Sequence, residues 1–229
     1  MAEKSFRPIL TYADEVHRAG SESYQKIMNY FQPDFWLGMT ASPERTDGFD
    51  IFNLFDHNIA YEIRLQHALK EDLLCPFHYF GITDIEIDGE TIDDKTDLRN
   101  FSYLVSDTRV RYILEQANYF GYSGERVKGL VFCSGKKEAQ ELSTKFNEYG
   151  YYTTVLTGEN SEKAREKARE KAINLLTREL TTDEIEKHEK DIREHVEKHT
   201  EEMPFLDYIF TIDIFNEGVD IPEINQVLM

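Results

Sequence analysis

ILTYADEVH, residues 9–17, is a short and mostly apolar run that ends in charged side chains. Its first five residues are long enough for a buried strand, and an acidic pair would then lie at the carboxyl end of that strand. A second apolar run, FWLGMT at residues 35–40, follows residues 22–31, whose apolar side chains recur at helical spacing until Pro33. The order strand, helix, strand predicts a parallel sheet with a crossover helix.

The same alternation continues along the rest of the chain. We expect further strands at residues 77–85, 127–133, 151–156 and 208–212, and helices at residues 63–74, 107–119 and 136–149. The predicted fold class is therefore α/β, built on parallel sheets. The pattern divides near residues 58–63, so we expect residues 1–62 and 63–229 to form two domains.

The composition indicates a globular chain. Of its 229 residues 40% are hydrophobic, including 15 Phe and 13 Tyr, which is enough for a core. No apolar run approaches the roughly 20 residues that span a bilayer, and no apolar segment follows the charges at the N-terminus. Cys75 and Cys133 are far apart in apolar surroundings, which favours a reducing compartment over a disulfide framework or a zinc site. We therefore expect a cytoplasmic protein without membrane contact.

The formal net charge of −18 argues against a generally basic surface of the kind that binds nucleic acid. It does not exclude nucleic acid, because backbone N–H groups and a few cations are enough to hold phosphates. Any such binding should therefore depend on a local patch rather than on the overall field of the protein.

Residues 161–200 differ in composition from their surroundings. They contain the tandem KAREKAREK at residues 163–171 and a second charged stretch that begins at Thr181, with Glu184 three residues later as in a capping box. Opposite charges at i,i+3 and i,i+4 predict a solvated helix or helical hairpin. We interpret residues 161–203 as a structural insertion. A protein-binding arm and an engineered segment are the alternatives.

The acidic turn after the first strand suits nucleotide chemistry. Asp14 would hold Mg²⁺, through water because Mg²⁺ keeps much of its hydration shell. Glu15 would orient and deprotonate a water that attacks a terminal phosphate, and His17 would pass the state of the site to neighbouring loops. An ordinary acidic turn at a strand end is the simpler interpretation of these three residues.

A family resemblance favours the chemical interpretation. Asp14-Glu15-Val16-His17 resembles motif II of the superfamily 2 helicases, and Thr40-Ala41-Ser42 resembles their motif III. PERTDG at residues 43–48 is most similar to bacterial helicases related to type III restriction subunits. Further along, LVFCS at 130–134 resembles motif IV, TG at 157–158 the next loop that contacts nucleic acid, and TIDIFNEGVDIP at 211–222 motif V.

The resemblance implies two RecA-like lobes, the first one partial, with the helical insertion in the second. Mg²⁺ with ATP would bind between the lobes, next to the catalytic group formed by Asp14, Glu15 and His17. Thr40 and Ser42 would couple hydrolysis to lobe movement. Gly218 would allow close approach of the nucleotide, and Asp220 would reach the ribose or adjacent motor residues.

The resemblance also implies a nucleic-acid path, for which DNA is favoured over RNA although the sequence does not decide between them. Contacts to a phosphodiester backbone position a strand without reading its sequence, which suits a translocating enzyme. The residues that would face this backbone are Ser134, Gly135, Thr157, Gly158 and Thr211.

Two departures from the family limit the expected activity. No G-x-x-x-x-G-K-[ST] loop precedes Asp14, and GLVFCSGKK at residues 129–137 has the wrong spacing for one and lacks its final Ser or Thr. The arginine-bearing motif VI does not occur before Met229. We therefore expect part of an ATP-dependent translocase that does not itself hydrolyse ATP. The alternatives are a non-catalytic or engineered scaffold whose insertion binds a protein, and a motor whose phosphate loop comes from another chain.

Two smaller patterns carry less weight. His195 and His199 lie one helical turn apart and could bind a transition metal, but an exposed charged helix explains both. Tyr149, Tyr151 and Tyr152 could stack on bases, but packing beside a strand is the simpler interpretation.

Overall fold

The computed structural model describes residues 10–44, 48–82, 86–87, 90–91, 105–157, 162–198, 203–212 and 221–229. The chain forms two compact units, Met1–Phe80 and Gly81–Met229. The fold is mixed α/β with parallel sheets and is consistent with a RecA-like helicase fold, so the predicted fold class is confirmed.

The first unit is built on two parallel strands. β1 (Leu10–Ala13) pairs with β2 (Phe35–Gly38), so that Ala13 lies opposite Gly38. The crossover helix α1 (Glu22–Tyr30) begins at Ser21, whose hydroxyl accepts the Tyr24 N–H, and α2 (Leu65–Lys70) is shorter than the predicted helix over residues 63–74. The predicted strand–helix–strand order is confirmed.

A small core lies beneath the turn that follows β1. Val16, Ala19 and Ile51 are buried there, held by 3₁₀ turns at Val16–Arg18 and Phe52–Phe55. Gly38 at the end of β2 packs directly against the Phe55 ring, since a Cβ at this position would lie 2.4 Å from Phe55 Cζ. The end of β2 can therefore lie close to the 3₁₀ turn Phe52–Phe55 because Gly38 has no side chain.

The second unit contains a four-stranded parallel sheet. Its strands are β5 (Gly129–Phe132), β6 (Thr153–Leu156), β7 (Tyr208–Thr211) and β8 (Gln226–Leu228), in the order β6-β7-β5-β8. A separate antiparallel pair, β3 (Glu86–Ile87) and β4 (Glu90–Thr91), precedes it. The strands predicted near 127–133, 151–156 and 208–212 are confirmed, and β8 was not predicted.

The strand predicted at residues 77–85 is wrong over residues 77–82, which carry no strand, while residues 83–85 lie outside the described part. The apolar side chains that suggested a buried strand are exposed instead, among them Phe77 at 60% and Tyr79 at 75%. An apolar run predicts a strand only where a neighbouring strand accepts its hydrogen bonds, and none of the described strands does so here.

Helices cover the sheet of the second unit. They are α3 (Asp107–Phe120), α4 (Lys136–Glu148), α5 (Glu162–Thr177) and α6 (Thr182–Arg193). Buried side chains from α3 and α4 pack with β5 and β7 around Phe146, and those from α5 pack with β5, β6 and β7 around Leu176. The predicted capping box at Thr181 and Glu184 is present, and two helices form, which is one of the two predicted alternatives. The expectation that this stretch is solvated is wrong for the second half of α5, because Ala172 and Leu176 are buried in the core.

Within the described ranges, no helix is both long enough and apolar enough to cross a bilayer.

Candidate functional site

Backbone hydrogen bonds hold the acidic turn beside the loop that follows β2. The Met39 N–H donates to the Ala13 carbonyl at 2.9 Å, and the Val16 N–H donates to the Met39 carbonyl at 3.0 Å. These two bonds extend the β1–β2 pairing past the strand ends. As a result, residues 14–17 and residues 40–42, which are distant in sequence, lie side by side at the carboxyl edge of the sheet.

Glu15 has a left-handed backbone, with φ 49° and ψ 43°. A residue with a Cβ pays about 1–2 kcal/mol for this conformation, so its neighbours must hold it in place. The Glu15 N–H donates to Asp14 Oδ1 at 2.9 Å, and the Tyr24 hydroxyl donates to the Asp14 carbonyl at 2.8 Å. The turn is therefore fixed from both β1 and α1.

His17 links the acidic turn to the Thr40–Ser42 loop. Its Nδ1 lies 3.1 Å from Thr40 Oγ1 and 3.2 Å from Glu15 Oε2, and the Ser42 N–H donates to Thr40 Oγ1 at 3.2 Å. A protonated Nδ1 donates to the carboxylate, whereas a bare Nδ1 accepts the Thr40 hydroxyl proton. Whether His17 Nδ1 accepts a hydrogen bond from the Thr40 hydroxyl therefore depends on whether Nδ1 itself carries a proton.

The acidic turn fits a hydrated divalent cation. Asp14 is exposed, and its Oδ1 accepts the Glu15 N–H. Mg²⁺ is usually held by one or two carboxylates while it retains several waters, so a single accessible carboxylate meets that need. Among the described residues no group of three or more His, Cys, Asp or Glu side chains forms a denser metal cage.

Three of the predicted nucleic-acid contacts lie along one edge of the second sheet. Phe132, Leu156 and Thr211 are aligned across β5, β6 and β7, so the residues that follow them share the carboxyl edge. Ser134 lies there, with its N–H and its hydroxyl both bound to Glu138 Oε2 at 2.9 and 2.7 Å, and Gly135 caps α4. Thr157 follows β6 directly and is half-buried. Ligands of open α/β sheets bind at such an edge.

Thr211 lies differently from the other members of this group. It is fully buried, and its Oγ1 has no hydrogen-bond partner among the described residues. In this structure its hydroxyl does not face solvent, so contact with a phosphate would require the end of β7 to open. Gly158, Gly218 and Asp220 lie outside the described residues.

Sequence reasoning missed a buried polar network at the opposite, amino edge of this sheet. His188 Nε2 lies 2.9 Å from Asp207 Oδ2, which also accepts the Tyr152 N–H at 2.8 Å. His188 Nδ1 and Asp207 Oδ1 are buried without a hydrogen-bond partner among the described residues. The network connects α6 to the starts of β6 and β7. No motif signals it, because its members are scattered through the sequence.

Arg126 completes this network. Its guanidinium donates to four carbonyl oxygens, those of Val127, Leu176, Arg178 and Leu206. Burial lowers the pKa of Arg126, and the nearby Asp207 carboxylate opposes that effect. A cavity of about 230 Å³ lies beside these groups, between α3 and α6. Because Arg126 is held by backbone carbonyls from the end of α5 and the start of β7, its visible role is structural.

A protein family matches the sequence of the first unit. Residues 3–45 match the family described as type III restriction enzyme, res subunit. This match spans the acidic turn and the Thr40–Ser42 loop.

Two curated relatives match more of the chain. The chain is 23% identical over 154 residues to a "51.5 kDa protein" of a Lactococcus phage (isolate 7-9), covering 63% of this chain and 31% of that protein. It is also 23% identical over 166 residues to the type I restriction enzyme EcoAI endonuclease subunit of Escherichia coli, covering 61% of this chain and 20% of that subunit. The chain thus spans a third or less of the length of these relatives. In sequence and in fold, it fits a helicase-like superfamily that includes restriction-enzyme subunits.

Proposed function

We propose that this chain carries the acidic motif, the coupling loop and part of the strand-binding edge of an ATP-dependent superfamily 2 DNA helicase or translocase. The observation that supports this most strongly is the His17 bridge between Glu15 and Thr40, because one imidazole nitrogen joins the proposed hydrolytic group to the Thr40–Ser42 loop. The similarity of residues 3–45 to type III restriction subunits supports the same assignment.

The side chains of the acidic turn would divide the work at the nucleotide. Asp14 would hold Mg²⁺–ATP through a metal-bound water, and the metal would neutralise charge on the phosphates. Glu15 would orient the attacking water and accept its proton. Once Glu15 carries that proton, it has lost its negative charge and accepts a weaker bond from His17, so His17 would shift its Nδ1 bond towards Thr40. This proton-dependent exchange would report hydrolysis to the loop at residues 40–42.

The carboxyl edge of the second sheet would hold the DNA backbone. Ser134, Gly135 and Thr157 lie along one edge, where hydroxyl and backbone groups could position phosphates without reading bases. Ser134 would first have to release Glu138 Oε2, which accepts both its N–H and its hydroxyl. Replacement of Thr157 by Val removes the hydroxyl and retains the shape of the side chain. We expect Thr157→Val to weaken binding of a labelled DNA oligonucleotide in fluorescence anisotropy, and unchanged affinity would contradict this assignment.

These 229 residues alone would not turn over ATP. They contain no G-x-x-x-x-G-K-[ST] loop, whose backbone and lysine hold the phosphates in enzymes of this kind. We propose that another polypeptide segment supplies this cradle. The test is Mg²⁺-dependent ATP hydrolysis with and without DNA, measured beside Glu15→Gln, which keeps the shape of the side chain but removes the base. We expect equal background rates, and DNA-stimulated turnover that is lost in Glu15→Gln would overturn the proposed inactivity.

A further inference from the structure

The first turns of α5 project past the sheet on which the helix packs. Ala164, Ala168 and Ala172 share one face of the helix, and along it they pass from exposed to half-buried to buried. Their spacing corresponds to roughly 12 Å along the helix axis. Because five residues separate the start of α5 from the carboxyl end of β6, this projecting end lies within roughly 18 Å of Thr157.

The projecting turns carry two rows of cations. The tandem KAREKAREK repeats every four residues, which places Lys163, Lys167 and Lys171 in one row and Arg165 and Arg169 in another. The two rows flank the alanine face, and the glutamates lie opposite it. None of the five cations forms a hydrogen bond or ion pair with another described residue, and all but the partly exposed Arg169 are exposed.

The neighbouring helix α6 shows what a solvated structural helix looks like in this molecule. There, Lys190 and Glu194 form an i,i+4 pair at 3.8 Å, and Arg193 and Glu189 form another at 3.6 Å. In the tandem of α5 the i,i+4 neighbours have the same sign, and opposite charges occur at i,i+3 instead, as in Glu166 and Arg169. Residues 162–171 hold five cationic and three acidic side chains in a chain of net charge −18. The rows are therefore a local basic patch of the kind that DNA binding by an acidic protein requires.

We propose that residues 163–171 of α5 contact the phosphodiester backbone of DNA and extend the strand-binding edge at Ser134 and Thr157 outward from the sheet. This inference rests on the proposed function, since it assumes DNA at that edge. The cations of one row are spaced by roughly 6 Å along the helix axis, and this regular spacing suits a polyanion. Such contacts would hold DNA without sequence preference and would raise the salt dependence of binding.

The test compares two triple variants that remove the same charge. Lys163→Gln, Arg165→Gln and Lys167→Gln together neutralise the projecting rows, and the control variant combines Lys187→Gln, Lys190→Gln and Arg193→Gln on α6. All six positions are exposed and Gln favours helix, so both variants should fold like the wild type. The probes are a fluorescein-labelled single strand of about 20 nucleotides and its duplex, titrated from about 25 to about 200 mM NaCl in fluorescence anisotropy.

We expect the α5 variant to lose at least about tenfold in affinity at low salt and to reduce the slope of log K against log[NaCl] by about 2–3. The α6 variant should keep a slope close to that of the wild type. Equal losses in both variants would show a general field effect and overturn the inference, as would an unchanged α5 variant.

Thr157→Val separates this inference from the proposed function. If Thr157→Val weakens binding while the α5 variant binds like the wild type, the strand-binding edge stands and the α5 contact fails. If the wild type binds neither probe at the lowest salt, both proposals fail.

Discussion

At the scale of single residues, the two cysteines differ in what surrounds them. Cys75 is exposed, whereas burial raises the pKa of the Cys133 thiol to about 12, and the nearby Glu138 adds to this effect. At about pH 8 only about one Cys133 in 10⁴ would be a thiolate, which is the reactive form. We therefore expect one fast equivalent with a thiol reagent in the native protein and a second only after denaturation. Cys75→Ser should abolish the fast equivalent, and two fast equivalents in the wild type would contradict the burial of Cys133.

Position 129 requires glycine because the Tyr208 ring lies against it, and not because of its backbone angles. A Cβ at this position would lie 2.2 Å from Tyr208 Cδ1, and Tyr208 is fully buried in the sheet core. We expect Gly129→Ala to reduce the free energy of unfolding by about 1–3 kcal/mol, since the core cannot move the ring without strain. Gly81→Ala, where nothing lies within 4 Å, is the matched control in urea unfolding. Equal midpoints for the two variants would show that Tyr208 repacks freely.

At the scale of elements, Glu184 fixes the start of α6. The Thr181 backbone N–H, followed by the Arg178 side chain, lowers the pKa of this carboxyl below its ordinary value of 4.5. Its charge therefore stabilises the folded state above about pH 4.5, and that contribution is lost as the pH falls through the folded-state pKa. We expect Glu184→Gln to lower the urea midpoint at neutral pH and to match the wild type in strong acid. A deficit of the same size at both pH values would mean that the charge is irrelevant.

The elements that could be predicted are those with a local signal. β1 and β2 are short apolar runs on either side of a helix whose apolar side chains recur at helical spacing. Thr181 and Glu184 have the residue types and spacing of a capping box. β8 is three residues long and is defined by its pairing with β5, so no local pattern marks it. The strand predicted at residues 77–82 was wrong because the apolar pattern is present but none of the described strands pairs with it, and the sequence does not reveal such pairing.

The features of the candidate site also divide into those that a local sequence pattern predicts and those that depend on packing. The acidic turn and the Thr40–Ser42 loop were recognisable as motifs, and the structure brings them into contact through His17. That one nitrogen faces both Glu15 and Thr40 could not be predicted, because it depends on the left-handed backbone of Glu15. The burial of Thr211 was equally hidden, since it depends on the packing of β7 between β5 and β6.

At the scale of the molecule, charge is distributed unevenly. The net charge of −18 repels polyanions from most of the surface, yet the described part of α5 holds its cations in rows without ion pairs. We therefore expect DNA binding to depend on this local basic patch and the strand-binding edge rather than on the overall field of the protein. The same insertion must therefore be held firmly on the sheet for the patch to act together with the strand-binding edge.

The buried His188–Asp207 contact links α6 to the start of β7 in the second unit. His188 lies 2.9 Å from Asp207 Oδ2 and stacks on the Tyr152 ring, so its removal leaves a buried carboxylate without its partner on α6. Removing one partner of a buried hydrogen bond costs about 1–3 kcal/mol. We expect His188→Ala to lower the free energy of unfolding of this unit by about that amount, and Lys187→Ala, at the exposed neighbouring position, to change it little.

Hydrogen exchange then tells a local role from a global one. If His188 holds only α6, the amides of α6 will exchange faster in His188→Ala than in the wild type. The amides of β5 and β7 will then exchange only as fast as the lower stability of the whole unit requires. If it also organises the sheet through Asp207, the amides of Tyr152 and Asp207, which pair the starts of β6 and β7, will lose protection with α6. We expect the second pattern, because Asp207 Oδ2 accepts from His188 and from the Tyr152 N–H at the same time. Unchanged exchange throughout α6 in His188→Ala would show that apolar packing alone docks the insertion.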